Sequence, residues 1–172
     1  MEQVQLKKFL VILALLFGVF LSVNTANEFD REKLQIISEI GTLSNAQKYL
    51  QALHKCKAAL EKYPDEPELY YWSAVIKTHM KDDKGALVDF DKAVELNPED
   101  SNVYVMRGIT KNELGDDKGA LADFDQAIKL NPKNSSAYSM RACVKIGTGD
   151  LQSANDDLET ANKLFDDTQK EE

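Results

Sequence analysis

The sequence predicts an all-α fold in which antiparallel helix pairs stack as a short solenoid. Three observations carry that expectation. The 18 residues from Lys81 to Pro98 and those from Gly115 to Pro132 agree at 13 positions, at a spacing of 34 residues. The same spacing relates Pro64, Pro98 and Pro132, and also Ala52, Ala86, Ala120 and Ala154. It recurs in Ala59, Ala93, Ala127 and Ala161, and again in Tyr70, Tyr104 and Tyr138. Within a period the apolar residues keep helical spacing, so that Ala86, Leu87, Phe90, Ala93, Val94 and Leu96 form one broad stripe. One helical hairpin cannot bury such a stripe alone, and roughly three stacked units are needed for a stable array.

The elements follow in order. Lys7 and Lys8 precede an apolar run from Phe9 to Val23. A spanning helix needs about 20 residues, so residues 1–26 read as an export signal ending at Ala26. The alternative is an uncleaved anchor that tethers the chain to a membrane through residues 9–23. The expected location is the periplasm, the secretory pathway or the exterior, or the membrane surface if the anchor stays. Residues 27–66 read as a degenerate helix pair, with Cys56 in the column that holds Phe90 and Phe124 and with Ile40 in the column of Ala74, Gly108 and Ala142.

Residues 67–100 and 101–134 are the two full units. A small side chain at Ala74 or Gly108 lets two helices approach closely. Asp82 and Asp83 open the second helix, where their oxygens serve unsatisfied amides. Asn97 before Pro98 stops it, and Ser101 and Ser135 are the expected caps of the helices that follow. Residues 135–168 form a degenerate unit with Leu158 in the aromatic column and Asp166 in the proline column. Residues 169–172 are a polar tail.

Composition and spacing argue against several kinds of chemistry. A formal charge of −8 and a pI near 4.9 leave no basic stripe for nucleic acid. His54 and His79 stand in different units, without companions at metal or triad spacing. The "DDKG" segments fail as calcium loops, because Gly85 or Gly119 at the sixth position would put Met80 or Leu114 at the first. Gly147 and Gly149 fall at a turn between helices. Asn134 begins an N-glycosylation acceptor triplet in a turn between units. Cys56 and Cys143 are two units apart, roughly 20 Å or more at helix spacings of about 8–10 Å. A disulfide tolerates only about 7 Å, so no intramolecular bridge is expected and Cys56 is assigned to the core. The expectation is a chain with no catalytic residue, no metal and no cofactor, and therefore not an enzyme.

The period and its columns resemble the tetratricopeptide repeat family. Counted from Pro67, its pattern falls on Ala74, Ala86, Phe90, Ala93 and Pro98; counted from Ser101, on Gly108, Ala120, Phe124, Ala127 and Pro132. The resemblance implies a right-handed superhelix whose first helices line a concave face. It also implies that ligand contacts come from the columns that hold Tyr71, Trp72, Val75, Val105, Met106, Ile109, Met140 and Ile146. The carboxylate clamp used by some members needs Lys, Asn and Arg in columns where this chain has none, and Arg107 and Arg141 lie one position off. The implied function is a non-catalytic adaptor or scaffold that binds an apolar helix or extended peptide of a protein partner. A membrane-tethered accessory subunit and a self-assembling homo-oligomer are the alternatives.

Overall fold

The computed structural model describes residues 30–171. The chain divides into two compact units, Met1–Glu39 and Ile40–Glu172. The predicted export signal lies outside the described residues. Among the described residues no helix is long and apolar enough to cross a membrane.

All regular structure in the described residues is helical. Helix α1 covers 30–45. It is followed by α2 (Tyr49–Lys62), α3 (Pro67–His79), α4 (Asp83–Leu96), α5 (Ser101–Glu113), α6 (Asp117–Leu130), α7 (Ser135–Thr148) and α8 (Leu151–Glu171). Within Ile40–Glu172, α3 packs on α4, α5 on α6 and α7 on α8. Successive pairs join through α4 on α5 and α6 on α7, while α5 also touches α3 and α7. The first helices of the pairs therefore lie side by side in one layer, with the second helices behind them. This is the stacked-pair solenoid that the 34-residue period predicts.

Phe90 and Phe124 sit at the centres of successive core clusters and are fully buried. The small-residue column has its reason here. A Cβ on Gly108 would stand 2.8 Å from Cε1 of Phe124, closer than packed carbons approach. Ile40 and Cys56, both fully buried, reverse the sizes in those two columns: the bulk moves from the second helix of the pair to the first.

Helix starts follow a repeated device. Asp82 and Asp116 accept from the backbone N–H of Gly85 (3.0 Å) and Gly119 (2.9 Å). A Cβ at either glycine would run into the capping carboxylate, which explains why "DDKG" appears twice. The expected caps Ser101 and Ser135 are corrected by the structure. Asp100 accepts from Asn102 N (2.9 Å) and Asn134 from Ala137 N (3.3 Å), so each serine is the first helical residue instead. The carboxylate and amide oxygens reach the free amides from one position earlier, and a carboxylate also meets the positive helix end. Asn97 closes α4 as expected.

The turn inside each pair takes a left-handed residue at one column: Gln47 (φ 59°), Lys81 (φ 65°), Gly115 (φ 83°) and Gly149 (φ 88°). The last pair differs on its outer side. Leu87 and Val94 of α4, like Leu121 and Ile128 of α6, give way in α8 to Asn155 and Asn162. Val94 packs against both core clusters, so this column is the one that would receive a further pair.

Candidate functional site

The charged residues of α3, α5 and α7 are ordered by the same period. Asp89, Asp123 and Asp157 each take a lysine from the first helix of their own pair: Lys77 at 2.5 Å, Lys111 at 2.8 Å and Lys145 at 2.8 Å. Asp123 and Asp157 also take an arginine fork. Arg107 donates Nε and Nη2 to Asp123 at 2.9 and 2.7 Å, and Arg141 donates the same atoms to Asp157 at 2.9 and 2.5 Å. The remaining nitrogen of each arginine reaches the preceding pair, Nη1 of Arg107 to Asp91 (2.8 Å) and Nη1 of Arg141 to Asp125 (2.6 Å). Each guanidinium also sits beside an aromatic ring, 5.3 Å from the centroid of Tyr104 and 5.6 Å from that of Tyr138. One planar fork thus joins two pairs, a geometry that lysine cannot copy.

Burial alone would raise the Asp157 carboxyl, but hydrogen bonds from Arg141 and Lys145 outweigh it and hold the group below its ordinary value. In the first full unit, Ser73 stands in the arginine column and donates to Asp89 at 2.6 Å. The column that supplies Asp91 and Asp125 holds Lys57 in the unit before it, a charge that would repel an arginine at 73. Sequence reasoning missed this ladder. Its signal was present in Lys77, Lys111 and Lys145 and in Asp89, Asp123 and Asp157, all 34 residues apart.

The ladder also engages the cations of the first-helix layer. The lysines and arginines of α3, α5 and α7 are Lys77, Arg107, Lys111, Arg141 and Lys145, and all five are held by aspartates. Arg107 and Arg141 therefore tie helix pairs together and do not form a carboxylate clamp.

The sequence-predicted contact residues divide by burial. Val75 (8% exposed) and Val105 (6%) are core residues with little surface to give. Tyr71 and Met106 are half-buried and pack against the cluster around Phe90, while Ile109 and Met140 do the same around Phe124. Trp72 is half-buried; its ring lies beside Tyr71 at 5.7 Å and against Gly41, where a Cβ would meet it at 3.0 Å. Ile146 is 49% exposed. These residues form a row along α3, α5 and α7 whose outer edges face solvent and whose inner edges are core.

The other candidates fall into structural places. His54 and His79 are exposed, and the His79 ring stacks on Tyr49 at 5.0 Å. Among the described residues no group of His, Cys, Asp and Glu could hold a metal ion. Both cysteines are free. Cys56 is buried, which together with the Asp89 carboxylate pushes its thiol up to about 12. Gly149 is the left-handed C-cap of α7, a turn residue as expected.

The tetratricopeptide repeat family model matches residues 67–100 and 101–134. No curated protein matches the chain. Among solved structures, MamA from Desulfovibrio magneticus RS-1 is 17% identical with a TM-score of 0.70, over 77% of this chain and 75% of that one. The first TPR of Spaghetti (RPAP3), bound to the HSP90 peptide SRMEEVD, is 22% identical with a TM-score of 0.64, over 67% of this chain and 92% of that one. YrrB, a TPR protein with an unusual peptide-binding site, is 22% identical with a TM-score of 0.65, over 75% and 66%. At these identities the likeness is one of fold. Residues 67–134 are thus two consecutive tetratricopeptide repeats, and α7 and α8 continue their stacking through the Arg141 fork.

Proposed function

We propose that the chain is a non-catalytic protein-interaction module whose partner lays an apolar helix or extended segment along α3, α5 and α7. The observation that carries this reading is the row Tyr71, Trp72, Met106, Ile109, Met140 and Ile146. It runs across three neighbouring helices and is only partly covered by the core. Aromatic and methionine side chains suit such a surface, since they adapt to an apolar helix while keeping contact area. Solved structures of the same fold carry a peptide or a peptide-binding site, which supports a protein-interaction role for the chain. The run of Phe9–Val23 behind Lys7 and Lys8 favours a module working outside the cytosol, released after export or tethered by that run.

A photo-crosslinking amino acid placed at Ile146 in native cells tests the surface. The control is Val88, which is 67% exposed on α4 in the outer layer. A protein partner captured at Ile146 and absent at Val88 is the expected result. Equal capture at the two positions, or none at Ile146, overturns the reading.

A further inference from the structure

A cleft of about 330 Å³ opens where the N-terminal end of α3 meets the N-terminal end of α5. Its walls include Glu66, Glu68, Tyr71, Asn97, Asp100 and Asn102. Three of these are acids, and no residue of the lining is basic. Tyr71 belongs both to this cleft and to the apolar row, so the two surfaces are continuous. Burial pushes the Tyr71 hydroxyl up, and the Asp100 and Glu68 carboxylates add to it, as a negative potential at the mouth of the cleft requires.

The corresponding corner between α5 and α7 is built differently. In the columns of Glu66, Glu68 and Asp100 it holds Asp100, Asn102 and Asn134, so of these two corners the one between α3 and α5 carries the concentration of negative charge. Meanwhile the five lysines and arginines of α3, α5 and α7 are engaged by Asp89, Asp91, Asp123, Asp125 and Asp157. None of them lines the cleft. The inner layer thus presents an apolar row, an acid-lined cleft at one end of it, and no cation to receive a partner's carboxylate.

We infer that the occupant of this layer is a cationic amphipathic segment of a protein partner, its apolar side on the row and a lysine or arginine in the cleft between Glu66, Glu68 and Asp100. This rests on the groove reading above and names the chemistry of its partner. An acidic segment meets repulsion at the cleft and finds no free counter-charge along α3, α5 or α7. A cation seated beside several carboxylates and a tyrosine hydroxyl gains hydrogen bonds as well as charge. Complementarity of this kind sets partner choice and encounter rate more than total affinity.

The test uses three short peptides with one leucine seam, their remaining positions filled by lysine, glutamine or glutamate. Binding to the full-length chain is read from the fluorescence of Trp72, the chain's one tryptophan. The lysine peptide should bind about tenfold or more tightly than the glutamine peptide at low salt, and the glutamate peptide most weakly. The preference should shrink in about 0.5 M salt. In the double variant Glu68→Gln, Asp100→Asn the lysine-to-glutamine ratio should fall towards one. Asparagine keeps the helix cap of α5, and Glu68→Gln alone, at an exposed position, serves if the double variant misfolds. Equal binding of all three peptides overturns the inference and leaves the apolar groove standing. Tighter binding of the glutamate peptide overturns it in favour of an acidic partner. A preference unchanged in the variants removes the cation from this cleft. Binding of none of the peptides removes the groove together with the inference.

Discussion

Lys81 adopts φ 65°, in the column where the following units place Gly115 and Gly149 at 83° and 88°. An L-residue with a Cβ meets a steric penalty of about 1–2 kcal/mol in that region. Glycine relieves it but gives back about 0.5–1 kcal/mol through the freer unfolded chain. Lys81→Gly should therefore raise stability by up to about 1 kcal/mol, read as a higher denaturant midpoint at unchanged slope. A midpoint at or below that of the wild type would remove the strain. The turn itself was legible in the sequence, because "KDDKG" and "GDDKG" share a register and the second begins with glycine. The capping of α5 and α7 was less legible. Oxygen-bearing side chains stand side by side at Asp100–Ser101 and Asn134–Ser135, and only geometry decides which one reaches the free amides.

At the scale of elements, each pair must fill the space between its two helices, and the columns of Gly108 and Phe124 show two ways of doing so. In the central units a small residue on the first helix admits an aromatic ring from the second. In the upstream pair Ile40 stands opposite the column of Cys56, and both are fully buried. The volumes exchange places, so the two positions should be coupled. Ile40→Ala alone should cost about 2–5 kcal/mol through the space it leaves. Cys56→Phe alone should cost about 1–3 kcal/mol by overpacking. Combined, they should recover about 1–3 kcal/mol of the summed loss. A double-mutant cycle by chemical denaturation measures this, and strict additivity would show that the two side chains do not share a space.

Much of this packing could be read from the sequence, since apolar and small columns define the period. The valines of the predicted binding face could not be separated from the core in that way. Val75 and Val105 lie on the same helical side as Tyr71 and Met106, and how far a neighbouring pair covers that side depends on the angle of stacking. The ion-pair ladder was harder still. Charged side chains are expected outside, and a fork that bridges two pairs shows no local pattern in either of them.

Across the whole array the ladder makes stability depend on carboxylates being ionised. The Asp157 carboxyl is held below its ordinary value when folded, so its contribution is present above the unfolded value of about 3.9 and is lost as pH falls through the folded one. The wild type should be more stable than Asp157→Asn at neutral pH, by about 3 kcal/mol for breaking a largely buried pair. That advantage should hold down to about pH 4 and shrink below it. Denaturant melts of both proteins along an acid series check the expectation; an advantage constant to about pH 2 would show that ionisation of Asp157 is not its source.

The same forks make the middle of the chain interchangeable. Residues 101–134 meet the unit before them with Arg107 and the unit after them with Asp125. A second copy inserted behind Asn134 would find Asp125 waiting for its arginine and Arg141 waiting for its aspartate. The two sides of such an insert match by construction, whereas a unit appended beyond α8 would meet Asn155 and Asn162. Tandem duplication can therefore lengthen this molecule from within, and each added copy would extend the layer of α3, α5 and α7 without disturbing either flank.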